Sequence, residues 1–189
     1  MRFRHILLVL LLAAGRCLAA DPIDLVKKFY GEADALGVAG FSYQEDMGRV
    51  RPLLTTDLNA LFSEAQKAVA IRWEKGQQEI AKLKAEGKQP IAKKFTLGRM
   101  RVFTHSAEGV EYLGLGESSA SDRRAYMQVK MKLPGEDLTW TDLLVLHFTE
   151  TGWKIDDIIF ESNSKEWPVW SLRRDLASSI EQAETMGDE

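Results

Sequence analysis

The stretch Arg124-Ala125-Tyr126-Met127-Gln128-Val129-Lys130-Met131-Lys132-Leu133 decides the fold class. Ala125, Met127, Val129, Met131 and Leu133 alternate with Arg124, Tyr126, Gln128, Lys130 and Lys132. Successive side chains of a strand point to opposite faces, so this period of two buries one face and leaves the other wet. One-sided burial of this kind belongs to antiparallel sheets, because parallel sheets are covered on both faces. Downstream, Pro134-Gly135-Glu136-Asp137 is a turn and Leu138 to Thr149 reads as a second, more apolar strand. Glu150-Thr151-Gly152 turns again into Trp153 to Phe160. Upstream, Leu97 to Thr104 and Val110 to Leu115 predict a weaker hairpin.

Before Pro90 the period is helical. Asp21-Pro22 opens a first helix, with Asp as cap and Pro at its start, and Ile23, Val26, Phe29 and Tyr30 line one face. Gly37 and Gly40 stop it, and Phe41 to Arg51 is irregular. Thr55 or Thr56 caps a second helix, whose stripe is Leu58, Leu61, Phe62, Ala65, Val69 and Trp73. From about 74 to 90 the composition turns charged, a solvated helical extension that frays or bends at Gly76. At the other end, Pro168 starts a closing helix carrying Val169, Leu172, Leu176 and Ile180. Helices followed by hairpin-linked strands predict an α+β domain, with N-terminal helices packed on an antiparallel sheet and a C-terminal helix.

The first twenty residues, MRFRHILLVLLLAAGRCLAA, read as a signal peptide in front of a single domain spanning 21–189. Arg2 and Arg4 form a basic start, and Ile6 to Ala14 form an apolar run of nine residues, against about 20 for a membrane span. The expected cut follows Ala19 or Ala20. A lipoprotein would place Gly or Ala before its cysteine, and Arg16 precedes Cys17. Cys17 is the chain's single cysteine, so cleavage removes disulfides, zinc–thiolate sites and thiol catalysis together. The leader holds three arginines and no acid, so the remainder carries 22 basic and 28 acidic side chains, a net charge of −6. The expected location is periplasmic or secreted, with no membrane anchor after cleavage.

Composition narrows the class further. An apolar fraction of 45% excludes wholesale disorder, and 5 prolines with 14 glycines exclude a collagen-like chain. The acidic balance argues against a nucleic-acid partner, since that binding rests on neutralised phosphates.

Three segments carry a family resemblance: Pro52-Leu53-Leu54-Thr55-Thr56-Asp57-Leu58-Asn59-Ala60-Leu61, Gly152-Trp153-Lys154-Ile155-Asp156-Asp157-Ile158 and Ser171-Leu172-Arg173-Arg174-Asp175-Leu176. Together they resemble an uncharacterised family of exported bacterial domains with a nuclear-transport-factor-like, or cystatin-like, fold. The resemblance implies a curved sheet wrapping a helix into a cone whose mouth can hold a small molecule. It also implies wide functional spread, from isomerases and dehydratases to binding proteins, so fold leaves function open. One departure is Pro90-Ile91-Ala92-Lys93-Lys94-Phe95, where relatives carry an acidic Gly-Asp-Phe type segment.

The candidate chemistry is sparse. Asp156 and Asp157 are neighbours on a strand, so regular alternation points them apart, and Asp157 shares a face with Trp153, Ile155 and Ile159. Asp157 therefore reads first as a structural acid held by backbone amides or an arginine; no catalytic residue is assigned, and Asp157 is the candidate should the cone hold a catalytic acid. Outside the leader there are two histidines, His105 and His147, and neither has metal-ligand or triad spacing. Trp73, Trp140 and Trp153 lie in periodic segments and read as core, whereas Trp167 and Trp170 flank Pro168-Val169 and form a candidate partner patch or a cap closing the cone. The lysines between 74 and 94 offer an acidic partner a second docking face.

The sequence thus points to an exported, non-enzymatic binding protein for a protein partner or an envelope component, with no cofactor and no metal implied. The alternative is a small-molecule carrier, or an isomerase-like or hydrolase-like enzyme, with Tyr30, Tyr112, Trp153 and Asp157 lining a pocket. An open polar cavity floored by a carboxyl group would favour the alternative; a cone filled by Trp153, Phe160 and helix side chains would exclude it.

Overall fold

The computed structural model describes residues 21–36, 46–89, 102–104, 110–160 and 170–185. Helix α1 spans Pro22–Leu36. Asp21 caps it, its Oδ1 accepting from the Ile23 amide at 2.9 Å. Val26, Phe29 and Tyr30 are buried and Ile23 is half-buried, the face expected from the spacing. Two 3-10 turns, Asp46–Gly48 and Arg51–Leu53, lead into helix α2, Thr56–Ala85. Thr55 is its cap: it is extended, with φ −65° and ψ 158°, and its Oγ1 accepts from the Leu58 amide at 3.3 Å.

Helix α2 runs through Gly76 without a break, contrary to the expected bend there. One glycine costs a helix about 1 kcal/mol, and the Glu, Gln, Lys and Ala residues around it are strong helix formers. The helix ends where Gly87 adopts φ 69°. The Gly87 amide donates to the Lys84 carbonyl and the Lys88 amide to that of Leu83, the two bonds of a Schellman closure.

The strands are β1 Glu111–Ala120, β2 Arg124–Lys132, β3 Thr139–Thr149, β4 Gly152–Phe160 and β5 Trp170–Ser171. They form one antiparallel sheet in the order β1-β2-β3-β4-β5. β1 is longer than expected, continuing past Leu115 across Gly116 to Ala120. Residues 102–104 form a turn rather than the end of a strand, and the rest of the expected Leu97–Thr104 strand lies outside the described residues. Helix α3, Leu172–Thr185, follows β5. It begins later than Pro168, because Trp170 and Ser171 pair with Phe160 and Ile159 and extend the sheet. The side chain of Ser171 caps it, accepting from the Arg174 amide at 3.3 Å.

The alternation of β2 holds residue by residue: Ala125, Met127, Val129 and Met131 are buried. Opposite them on β3, Asp142, Leu144 and Leu146 are buried, and on β4 Ile155, Ile158 and Phe160. These inward apolar residues form one core with Val26 and Phe29 of α1, Leu58, Phe62 and Ala65 of α2, and Leu172 and Leu176 of α3. All three helices therefore cover one face of the sheet, the α+β arrangement the sequence predicts. Each such large apolar side chain contributes about 1.5–3 kcal/mol by leaving water. The opposite face carries Tyr126 and Gln128 of β2, Leu143 and Val145 of β3 and Ile159 of β4, none of which belongs to that core.

Trp73 corrects the expectation of a core tryptophan, for it is 61% exposed. Helices α2 and α3 start side by side, since Thr55 and Arg173 both bond to Asp156. Further along, Arg72 donates to Gln182 at 3.3 Å. α3 ends three residues past Gln182, whereas α2 continues thirteen residues past Arg72. The apolar stripe thus outlasts its covering layer, and the buried residues of α2 end at Ala68.

Candidate functional site

The two adjacent acids of β4 do not separate as regular alternation requires. In the pairing with β3, Asp157 sits opposite Val145 and Ile155 opposite Leu146, so Asp156 is an extra residue in a bulge. The bulge shifts the alternation, so that Ile158 takes the inward place and Asp157 leaves the face of Ile155. Asp157 is half-buried, and its Oδ1 accepts from the amides of Ile158 at 2.9 Å and Arg173 at 3.0 Å. Asp156 accepts from Thr55 Oγ1 at 2.9 Å and from Arg173 Nη2 at 2.5 Å, while Arg173 Nε donates to the Asp156 carbonyl at 2.7 Å. Two carboxylates thus stand at two helix starts, Asp156 beside the cap of α2 and Asp157 on the first turn of α3. Helix N-termini favour negative charge and offer unpaired amides, which accounts for both acids structurally. The bulge corrects the expected face of Asp157, while its two amide partners are those of a hydrogen-bonded structural acid.

A different acid occupies the inward face. Asp142 is fully buried on β3 and lies opposite Val129, between the inward positions of Trp140 and Leu144. The signal was present in the sequence as a single acid at an inward position of an alternating strand. Tyr30 of α1 lies within its electrostatic reach. Burial pushes the Tyr30 phenol well above its ordinary value, and the Asp142 carboxylate and Tyr112 push it the same way. The ring of Tyr30 stacks on that of Tyr112 from β1, with centroids 5.7 Å apart and planes 18° from parallel. Burial raises the Tyr112 phenol as well. Phe29 meets Tyr30 and Phe103 edge-on, and Phe103 stacks on Phe62.

Two of the four expected pocket residues, Tyr30 and Tyr112, therefore come together. Trp153 does not join them: it packs edge-on against Phe148 at another part of the sheet, and Asp157 stands at the start of α3. Among the described residues, the buried hydroxyls of Tyr30 and Thr104 have no hydrogen-bond partner. A neutral phenol and a threonine hydroxyl can each donate and accept.

Of the partner-patch residues, Trp170 is half-buried against the core, with the Arg174 guanidinium 4.7 Å from its ring centroid. Trp167 lies outside the described residues, as do His105 and residues 90–95. Trp140 and Trp153 are half-buried against the core. His147 is half-buried, opposite Lys154 and Arg124. Among the described residues, no group of three or more His, Cys, Asp or Glu is placed to hold a metal ion, and no helix is long and apolar enough to cross a membrane.

The second candidate surface is the face of the sheet on which no helix among the described residues packs. Tyr126 is 37% exposed at its centre, beside Val145, with Gln128, Leu143 and Ile159 in the next row. Arg124 and Lys130 are exposed on the same side of β2. Compared with protein-family models, with curated proteins and with solved structures, the chain matches none of them.

Proposed function

We propose that the protein is an exported, non-enzymatic binding protein of the bacterial envelope, and that the helix-free face of its sheet receives an acidic protein partner. The observation that carries this reading is the one-sided layering: every helix among the described residues packs on the same face of the sheet. Apolar residues on the other face lie outside the core, and a protein contact would complete their burial. The flanking Arg124 and Lys130 give that face a basic rim suited to an acidic partner. The leader-like first twenty residues support export, and the engagement of Asp156 and Asp157 at helix starts supports a role without catalysis.

A photo-reactive residue at Tyr126 tests the reading in a periplasmic extract, with one at Lys67 on the exposed face of α2 as control. We expect a defined acidic species labelled from position 126 alone. Identical labelling from both positions, or none from 126, would sink the proposal. A second reading, small-molecule carriage, is favoured by the buried, unpartnered Tyr30 hydroxyl within electrostatic reach of the inward Asp142. It requires that Tyr30→Phe weaken ligand binding while the fold stays intact.

A further inference from the structure

The second half of helix α2 carries an apolar seam that starts against the core at Val69 and that the other described elements leave uncovered beyond it. Val69, Trp73, Gly76, Ile80 and Leu83 recur at steps of 4, 3, 4 and 3. This is the spacing by which one helix presents a continuous seam to another. Trp73 projects from it at 61% exposure, and Gly76, Ile80 and Leu83 are half-buried. Helix α3 ends too early to cover it.

We propose that this seam pairs with the same seam of a second copy of the chain, the two helices antiparallel, with Trp73 of each copy packed over Gly76 of the other. The argument for a second copy is self-complementarity in both shape and charge. In an antiparallel pair the two seam positions of the repeat alternate across the interface, which sets the largest side chain of the seam against the residue with none. The same register puts Val69 opposite Ile80 and brings Arg72 beside Glu79 of the other copy. The two-fold axis repeats each contact, so two opposite-charge pairs form along one flank. Parallel pairing would instead set indole against indole in one layer and glycine against glycine in another, overfilling the first and emptying the second. Glycine within an otherwise strong helix-forming segment also gains a reason, since any larger residue would close the hollow that receives Trp73.

Light scattering on the purified protein over a range of concentrations tests this. We expect twice the chain mass at high concentration. Trp73→Glu and Gly76→Leu should each reduce it to one chain mass; at a concentration low enough for both proteins to be single chains, Trp73→Glu should leave the urea midpoint unchanged, because that side chain lies outside the core. Orientation is read by cross-linking in a Cys17→Ser background. Positions 70 and 77 lie about 10.5 Å apart on their own helix, beyond the reach of a disulfide, but face each other across the antiparallel pair. Oxidation should therefore link two chains carrying both Ala70→Cys and Gln77→Cys, and not those carrying Gly76→Cys alone. A single-chain mass at every concentration, as expected if another segment of the same chain covers the seam, would overturn the proposal. So would a dimer indifferent to Trp73→Glu, or one linked through Gly76→Cys alone.

Discussion

Asp156 and Arg173 meet across the junction of β4 and α3, with Nη2 2.5 Å from Oδ1 and Nε 2.7 Å from the Asp156 carbonyl. Since Thr55 Oγ1 also donates to Asp156 Oδ1, one carboxylate ties the starts of two helices to the same strand. Both charged side chains are about one-third exposed, so water screens part of the attraction.

Arg173→Ala should therefore destabilise the fold by about 1–2 kcal/mol, toward the lower end for a charge-assisted pair. Arg173→Lys should recover only part of this, because an ammonium cannot span the carbonyl and the carboxylate as the planar guanidinium does. Urea unfolding of the three proteins decides the matter: full recovery by lysine would show that charge alone suffices.

Tyr30 gives a prediction at alkaline pH. Its folded-state phenol titrates well above the ordinary value, so the folded chain holds that proton more tightly than the unfolded chain. The resulting stability is complete below the unfolded value of about 10 and is lost as pH rises from there toward the folded value. Tyr30→Phe should flatten this alkaline decline. At neutral pH it should be neutral or stabilising by up to about 1 kcal/mol, because a buried hydroxyl without a partner is removed. A loss of more than that at neutral pH would mean the hydroxyl is bonded in solution.

Legibility followed periodicity. Where one period governs a segment, as in Arg124–Lys132 or along the first turns of α2, the buried residues were readable one by one. The failures share a physical cause: each depends on what lies next to the element rather than on its own pattern. Trp73 keeps the stripe of Leu58 and Phe62 but runs past α3, so its pattern is core-like and its surroundings are water. Regular alternation gives Asp157 the wrong face because a bulge adds one residue to β4, and nothing in Ile155-Asp156-Asp157-Ile158 announces an extra residue. Of the candidate site, Tyr30 and Tyr112 are two residues the sequence singles out, and their rings stack. Asp142 is legible as the single acid at an inward position of an alternating strand, whereas Asp156-Asp157 is the more conspicuous acidic pair.

Leu143 and Leu144 separate the two faces of the sheet by one residue. Leu144 is fully buried toward the helices, and Leu144→Ala should cost about 2–5 kcal/mol. Leu143 lies opposite Gln128 and Ile159 on the face without helices, so Leu143→Ala should cost well under half as much. If that face receives a partner, Leu143→Ala should weaken labelling from position 126 while leaving the thermal midpoint nearly unchanged. Equal destabilisation by both substitutions would mean that the second face is also a core.

Gly116 and Gln128 face each other across β1 and β2, and the Gln128 side chain lies over the glycine. A methyl group at 116 would stand 2.9 Å from Gln128 Oε1 and 3.0 Å from its Cβ. The amide can swing aside, but the Cβ is fixed to the backbone of a paired strand. Gly116→Ala should therefore strain the β1–β2 pairing and cost about 1–3 kcal/mol, the usual range for overfilling a close contact. Gln128→Gly removes the obstacle and should itself cost about 0.5–1 kcal/mol through the loss of strand preference. If the close approach limits position 116, the double variant will be more stable than the sum of the single losses, by about 0.5 kcal/mol or more. Strict additivity would place the cost of the alanine in the backbone of β1 instead.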